Sequence, residues 1–203
     1  GADGFGFVRD MLDDEAPGAL MRPTVRLNRL PRWAHPLALS LLAMAGQGRA
    51  SRVVAHAAPA KSADALMRLM FARSTLEDSF CHAMLAHRHD AILCPALPIA
   101  APPHGSVNDM ADFWGSALLF NVLGWPAGVA PVTRVRPGEH YGAQVSRDRA
   151  LTAAHAADAS STGLPVGVQL AALPWREDIV IALMVALQAE LADQSDYPRA
   201  API

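Results

Sequence analysis

The sequence predicts an α/β fold. Three short apolar runs have the length of β-strands, at residues 91–94, 127–132 and 166–171, and each lies next to a proline. They alternate with longer stretches of helical period, of which residues 63–87 and 177–191 are the clearest. Apolar strands separated by helices are typical of a sheet covered by helices. With 203 residues, 52% of them hydrophobic, the chain can bury a substantial core.

The first third of the chain predicts three helices. A short one covers residues 7–12. Residues 37–44 are strongly helical and apolar on most sides, with Pro36 in the first turn and Gly46 able to end the helix. Residues 49–57 resume as a further helix, which the proline at position 59 stops.

A long helix and a strand come next. Ser62 is a suitable N-cap for a helix over 63–87, and the helix dipole favours Asp64 in its first turn. A helical period is followed by Leu66, Leu69 or Met70, Arg73, Leu76 or Glu77, Phe80 and Met84. Residues 91–94 lie between Asp90 and Pro95 and predict a buried strand.

The second half predicts a loop, three further helices and two strands. Residues 95–106 contain four prolines and predict a loop, followed by a helix over 109–120. The stretch 134–162 is polar and lacks a period, apart from a short helix near 149–157. The last helix, 177–191, is amphipathic, and we expect its core-facing residues to be Ile179, Leu183, Val185, Ala186 and Leu191.

Composition excludes several classes of protein. A formal net charge of −2 argues against nucleic-acid binding. Two cysteines, Cys81 and Cys94, do not form a disulfide framework, and we expect both to be reduced thiols. The 8 histidines come without an HExxH or paired-cysteine motif, so no metal site is predicted. No apolar run reaches the ~18–20 residues of a transmembrane helix, and no signal peptide opens the chain. The location that we expect is cytoplasmic, with peripheral membrane contact left open.

Four segments carry a family resemblance. In chain order they read DAILCP (90–95), NVLGWPAGVAPV (121–132), GLPVGVQ (163–169) and PWRE (174–177). This order resembles the amidase-signature enzymes, in particular their fatty acid amide hydrolase branch. Upstream, LNRLPRW (27–33) and SADAL (62–66) resemble the membrane-binding cap of that branch and the start of the helix that follows it. The resemblance implies that residues 1–203 are the C-terminal portion of one amidase domain.

The same resemblance implies the architecture. The amidase-signature fold has a mixed central sheet flanked by helices, which would be incomplete in this chain. Residues of about 29–58 correspond to the cap-like helix pair, and residues 62–203 to the sheet and helices of the core. Because the chain opens without a methionine, we expect it to be cut from a longer protein.

The catalytic machinery that the resemblance implies is a Ser–Ser–Lys triad, and no residue of this chain matches it. The single lysine, Lys61, lies just before the long helix. The single serine pair, Ser160 and Ser161, lies in a variable loop and is not predicted to act as a nucleophile. We therefore expect the triad upstream of this chain and expect the chain alone to be inactive. The implied chemistry needs no cofactor.

By the same resemblance, residues 1–203 would supply the part of the active site that binds the acyl chain of the substrate. The positions that would line a lipid channel are Val54, Ala58, Ala111, Trp114 and Leu118. All are uncharged, as a lipid channel requires, although ordinary core residues remain an equal alternative. Gly128 and Gly167 would permit close backbone approach beside the catalytic centre, or would serve packing alone.

The cap-like pair has two open interpretations. Its apolar side chains could enter a bilayer with neighbouring arginines at headgroup depth; they are Trp33, Leu37, Leu41, Leu42 and Met44. The alternative is a buried helix of the enzyme or of a homodimer interface. Peripheral membrane contact and homodimerisation therefore both stay open.

The function predicted from the sequence is hydrolysis of fatty acid amides to fatty acid and amine by the intact protein. A general amidase for small or aryl amides is one alternative, and a truncated, non-catalytic lipid-binding module is another. The partners expected are a lipid-like amide substrate and the missing N-terminal half of the domain, not nucleic acid. Without that half, the chain should expose a sheet edge and an apolar face and be poorly soluble.

Overall fold

The structure is a computed structural model. It describes residues 6–13, 15–18, 22, 30–31, 33–57, 61–110, 113, 115–140 and 146–199. Within these ranges the helices are α1 (Gly6–Leu12), α2 (Ala34–Met44), α3 (Gly48–Ala57), α4 (Ala63–Ala86), α5 (Gly115–Leu123), α6 (Arg149–Ala159) and α7 (Glu177–Leu191). The strands are β1 (Ala91–Pro95), β2 (Ala127–Arg134) and β3 (Pro165–Ala172), and Ser106–Asp109 forms a short 3₁₀ helix.

The three strands form one antiparallel sheet in the order β1-β3-β2. β3 is the central strand and pairs Ala172 with Ala91 on one side and Ala171 with Ala127 on the other. The ladder between β2 and β3 shifts register between Pro131 and Thr133. Proline has no backbone N–H to donate, so a bulge at this point is its usual place within a sheet. The predicted α/β class and all three predicted strands are confirmed.

The first core cluster lies between α4, α5 and β3. Its buried residues are Met84, Phe120, Leu123, Trp125 and Ala171, each at most 5% exposed. The Trp125 ring stands edge-on to Phe80 at 6.1 Å and is stacked on Phe120 at 6.4 Å between centroids. The tight turn after α5 depends on Gly124, whose φ of +72° is in the region that favours glycine. This turn directs Trp125 back into the core.

The second cluster lies on α7, which packs against β2 and β3. It joins Leu170 and Ala172 to Val180, with Ile179, Met184 and Leu187 packed around them. The prediction for the core face of α7 was wrong except at Ile179 and Leu191: Val185 is 62% exposed, Leu183 is 38% exposed and Ala186 is also exposed. Residues 179–187 are apolar on every side, so the period alone does not select the face that the sheet covers.

The long helix begins and ends where the sequence predicts. Ser62 accepts a hydrogen bond from the backbone N–H of Ala65 at 3.2 Å, as an N-cap should. Of the apolar residues at helical period, Phe80 and Met84 reach the core. Leu66, Leu69, Met70 and Leu76 are exposed. The described chain offers no element to cover the first half of this helix.

Two other predictions need correction. The helix expected over 109–120 begins only at Gly115 and continues to Leu123, because Ser106–Asp109 folds as a separate 3₁₀ turn. The strand β1 is not fully buried, because it lies at the edge of the sheet and Leu93 is 61% exposed. The short helix in the polar stretch is confirmed as α6, with Asp148 as its N-cap.

The cap-like pair consists of α2 and α3. The left-handed Gly46, with φ of +79°, ends α2, and the Ser51 hydroxyl donates to the Leu39 carbonyl at 3.1 Å, which ties the two helices together. Among the residues that the structure describes, no helix combines the length and the apolar character needed to cross a membrane.

Candidate functional site

The structure places few of the predicted channel residues. Leu118 lies on α5 and is 53% exposed. Val54 lies on α3, but its side chain is outside the described set. Ala58, Ala111 and Trp114 lie outside the described residues altogether. The channel lining therefore remains a prediction. Leu118 is the predicted lining residue whose side chain the structure describes, and it is exposed.

The predicted cap residues form an exposed apolar row on α2 and just before it. Trp33 is 77% exposed, Leu37 59%, Leu41 58% and Met44 84%. Leu42 is partly buried. Residues 37, 41 and 44 follow each other at helical spacing and therefore share one side of α2. The described chain leaves that side uncovered.

A pocket of about 650 Å³ lies between the loop 96–101, the strands β2 and β3, and one face of α6. Its walls are mainly apolar and include Leu97, Ile99, Phe113, Val129, Leu151 and Val166. The volume is in the range of ~300–1,000 Å³ typical of small-molecule sites. Phe113 immediately precedes the predicted channel residue Trp114 in the sequence.

Four titratable side chains also line the pocket. His155 and Asp158 lie three residues apart on α6, and Arg134 and Glu139 come from the end of β2 and the following turn. Arg134 donates to the Gly163 carbonyl at 2.9 Å. Glu139 is already engaged, since its carboxylate accepts from the backbone N–H of Arg136 at 2.9 Å. The lining therefore combines a mainly apolar surface with a few polar groups, as is usual for small-molecule sites.

The two strand glycines have different roles. A Cβ on Gly167 would lie 2.9 Å from Val129 Cγ1 and 3.2 Å from the Ala130 carbonyl oxygen, so this glycine allows close contact between strands at the pocket wall. A Cβ on Gly128 would instead collide with the Met184 sulfur and lie 3.2 Å from Val180 Cγ1 on α7. The close approach is confirmed at both positions, and at Gly128 it serves strand–helix packing.

Residues 45–181 match the family model described as Amidase. The chain belongs to the amidase family. This match begins directly after α2 and covers α3, the sheet and the pocket. It confirms the family indicated by the four ordered segments.

Relatives of this amidase chain include two curated proteins. It is 32% identical over 110 residues to "Fatty acid amide hydrolase 1" of Caenorhabditis elegans, a match that covers 53% of this chain and 19% of that protein. It is 36% identical over 106 residues to "Fatty-acid amide hydrolase 1" of Sus scrofa, covering 50% of this chain and 17% of that protein. The match thus spans less than a fifth of either relative.

A solved structure named "Fatty acid amide hydrolase" has the same fold. The TM-score is 0.64, with 17% sequence identity, and the likeness covers 94% of this amidase chain and 30% of that chain. At this identity the likeness establishes the fold alone. The predicted amidase-signature fold is thereby confirmed, over part of the length of that chain.

Three candidate nucleophiles among the described residues are poorly prepared to attack an amide. Ser161 is 1% exposed, and its hydroxyl donates to the Asp158 carbonyl at 2.6 Å in the turn after α6. Burial raises the pKa of the Cys94 thiol, and burial together with Glu77 and Asp78 raises that of Cys81. A raised pKa keeps both thiols protonated and weakly nucleophilic. Within the described ranges, no three His, Cys, Asp or Glu residues come together to hold a metal ion.

Sequence reasoning missed the pocket. The loop 96–101 carries only apolar residues, which was a signal, because surface loops are usually polar. His155 and Asp158 share a face of α6, but a single turn of polar residues within a polar stretch does not stand out. The pocket forms only when the loop 96–101, α6 and β3 come together in the folded chain. No local sequence pattern predicts that contact.

Proposed function

We propose that the chain is the C-terminal portion of a serine amidase that hydrolyses fatty acid amides to a fatty acid and an amine. The observation that carries the lipid-like substrate is the exposed apolar row of Trp33, Leu37, Leu41 and Met44, in a chain similar to fatty acid amide hydrolases. Such a row suits an enzyme that collects its substrate from a lipid surface. The pocket beside the sheet, with its apolar walls, supports the same substrate class.

The helix α4 supports the view that this chain works as part of a larger domain. Leu66, Met67, Leu69, Met70 and Phe71 are 41–69% exposed. Successive helical residues are turned by about 100°, so these five side chains spread over a little more than half of the helix circumference. So wide an exposed apolar surface is typical of a helix that packs against another part of a larger protein. The remainder of the amidase domain is the occupant that we propose for this surface.

In the proposed reaction, a serine of that remainder attacks the amide carbonyl after a lysine accepts its proton. The amine leaves with a proton, and water then releases the fatty acid from the acyl-enzyme. The present chain would contribute no reacting atom. Its share would be the scaffold, the apolar wall that excludes water from the acyl chain, and the cap.

An acyl-length series on the full-length protein tests the substrate class. Amides with acyl chains of two to twenty carbons, and aryl amides, would be compared by kcat/KM. We expect kcat/KM to rise with acyl length. A preference for short or aryl amides would favour the general amidase. Hydrolysis of none, with fluorescent fatty-acid binding by the chain and a cooperative melt, would favour the non-catalytic lipid-binding module.

The cap is tested separately by liposome sedimentation. Leu37→Asp places a charge in the exposed row, and Ile181→Asp on α7 is its matched control, because the two side chains are 59% and 60% exposed. We expect only Leu37→Asp to release the full-length protein from phospholipid vesicles. Equal binding of both variants would refute the membrane role of the row and favour a buried or dimeric cap.

A further inference from the structure

The turn between α2 and α3 is joined to the N-terminal end of α6 by one side chain. The Gln47 amide nitrogen donates to the Arg147 carbonyl at 2.6 Å, and the Gln47 amide oxygen accepts from the Arg149 backbone N–H at 3.1 Å. These two backbone groups lie on either side of Asp148, the N-cap of α6. One neutral residue thus connects segments that are 100 residues apart in the sequence.

Arg49 adds charged contacts at the same place. Its Nε lies 3.4 Å from Asp148 Oδ2, while Asp148 Oδ1 accepts from the Ala150 backbone N–H at 3.0 Å. The same carboxylate therefore caps α6 and binds the first turn of α3. The Arg49 guanidinium also lies 5.4 Å from the centroid of the Phe113 ring, a cation–π distance.

Gly46 shows that the turn has no spare room. Its φ of +79° is accessible to glycine, and a Cβ built on it would lie 2.9 Å from Arg147 Cβ. A side chain at this position would push the turn away from residue 147. We call Gly46, Gln47 and Arg49 together the latch.

The elements that the latch holds are elements of the pocket. Phe113 lines it, and α6 contributes Leu151, Ala154, His155 and Asp158. Leu151 is only three residues after Asp148, the N-cap residue of α6 that Arg49 of the latch contacts. A displacement of the cap-like pair that pulls on the latch would therefore move one wall of the pocket.

We propose that the latch is a positioning element that couples the cap-like helix pair to the pocket, so that its integrity sets how well the pocket holds an acyl chain. The ligand class in this statement rests on the proposed function. The latch is polar and partly exposed, so it opens at modest cost and can transmit a change in the cap. Coupling of this kind works in both directions, and ligand in the pocket would stabilise the latched cap.

Hydrogen exchange on the full-length protein tests the contact itself. Gln47→Ala removes both hydrogen bonds, and Gln47→Glu keeps only the acceptor for the Arg149 N–H. We expect exchange of the backbone amides of residues 150–155 to be on the order of 10-fold faster in Gln47→Ala, and less so in Gln47→Glu. Gln188→Ala, an exposed glutamine on α7, is the matched control and should leave these amides unchanged. Unchanged exchange in Gln47→Ala would overturn the latch.

Kinetics on the same variants test the coupling. Gln47→Ala should raise KM for a long-chain amide several-fold with little change in kcat, and should affect a short-chain amide much less. Faster exchange with an unchanged KM would mean a merely structural contact and would overturn the coupling. If the wild-type protein hydrolyses no amide, the proposed function fails. The coupling is then decided by the affinity for a fluorescent fatty acid, which Gln47→Ala must lower and Gln188→Ala must not.

Discussion

Gly167→Ala should destabilise the sheet from its central strand. The added Cβ would lie 2.9 Å from Val129 Cγ1 and 3.2 Å from the Ala130 carbonyl oxygen. The valine is stiff at χ1 and the carbonyl belongs to the paired strand, so neither yields without moving backbone. Overpacking of this kind costs about 1–3 kcal/mol, and the lower entropy of an unfolded alanine offsets about 0.5–1 kcal/mol. We expect a net loss of about 1.5 kcal/mol in the free energy of unfolding.

Two matched glycine variants separate this effect from the substitution itself. Gly128→Ala meets the sulfur of Met184, whose flexible side chain can rotate away, so its cost should be smaller, at about 1 kcal/mol. Gly115 lies in the first turn of α5, and a Cβ added to it would have no atom within 4 Å. Gly115→Ala should leave stability unchanged or raise it by up to about 1 kcal/mol.

Urea unfolding of the full-length protein, followed by tryptophan fluorescence, measures the three variants. Trp125 packs in the first core cluster and reports on its loss. At unchanged slope, the shift of the midpoint gives the difference in free energy. A Gly167→Ala variant within about 0.5 kcal/mol of the wild type would refute the reasoning. So would a cost for Gly128→Ala larger than that for Gly167→Ala, because it would mean that the flexible neighbour does not yield.

Three other predictions concern the core, the predicted channel and pH. Trp125→Ala removes ring packing worth about 3–5 kcal/mol of unfolding free energy. Trp125→Phe should cost clearly less, because it keeps a ring and the indole N–H that it removes has no partner among the described residues. Urea midpoints compare the two variants. Leu123 is 1% exposed, and Leu123→Ala should lower the free energy of unfolding by about 2–5 kcal/mol. Leu118 is 53% exposed, and Leu118→Ala should leave stability nearly unchanged but raise KM for long-chain amides. Unchanged kinetics would remove Leu118 from the predicted channel. Arg176 donates two hydrogen bonds to Asp178 at 2.9 and 3.0 Å, which lowers the pKa of that carboxyl below its unfolded value. This stabilisation is present at neutral pH and is lost as the pH falls through the folded pKa. The Tm difference between wild type and Asp178→Asn should therefore shrink in acid, and a constant difference would contradict this.

Local patterns predicted the elements and the family well. The bounds of α7, the N-cap Ser62 and the strand-length runs after Pro126 and Pro165 all agree with the structure. Such features depend on neighbours within a few residues, where capping, period and proline geometry act. The four ordered segments likewise predicted the amidase family without any contact being known.

The candidate site was harder to predict. Leu118 was predicted from the family resemblance alone, and four of the five channel positions lack described side chains. The pocket was not foreseen, because its walls come from the loop 96–101, from β3 and from α6. The 109–120 prediction failed for a local reason, since a 3₁₀ turn and an α-helix have similar periods over a few residues.

By itself, then, the sequence determined where most of the helices and strands lie and that they build an α/β domain of the amidase family. Only the tertiary structure decided the order β1-β3-β2, the face of α7 that meets the sheet, and the meeting of Gln47 with the end of α6. The reason is physical. A period shows that a segment has an apolar side, but which partner covers that side depends on packing between residues far apart in the chain.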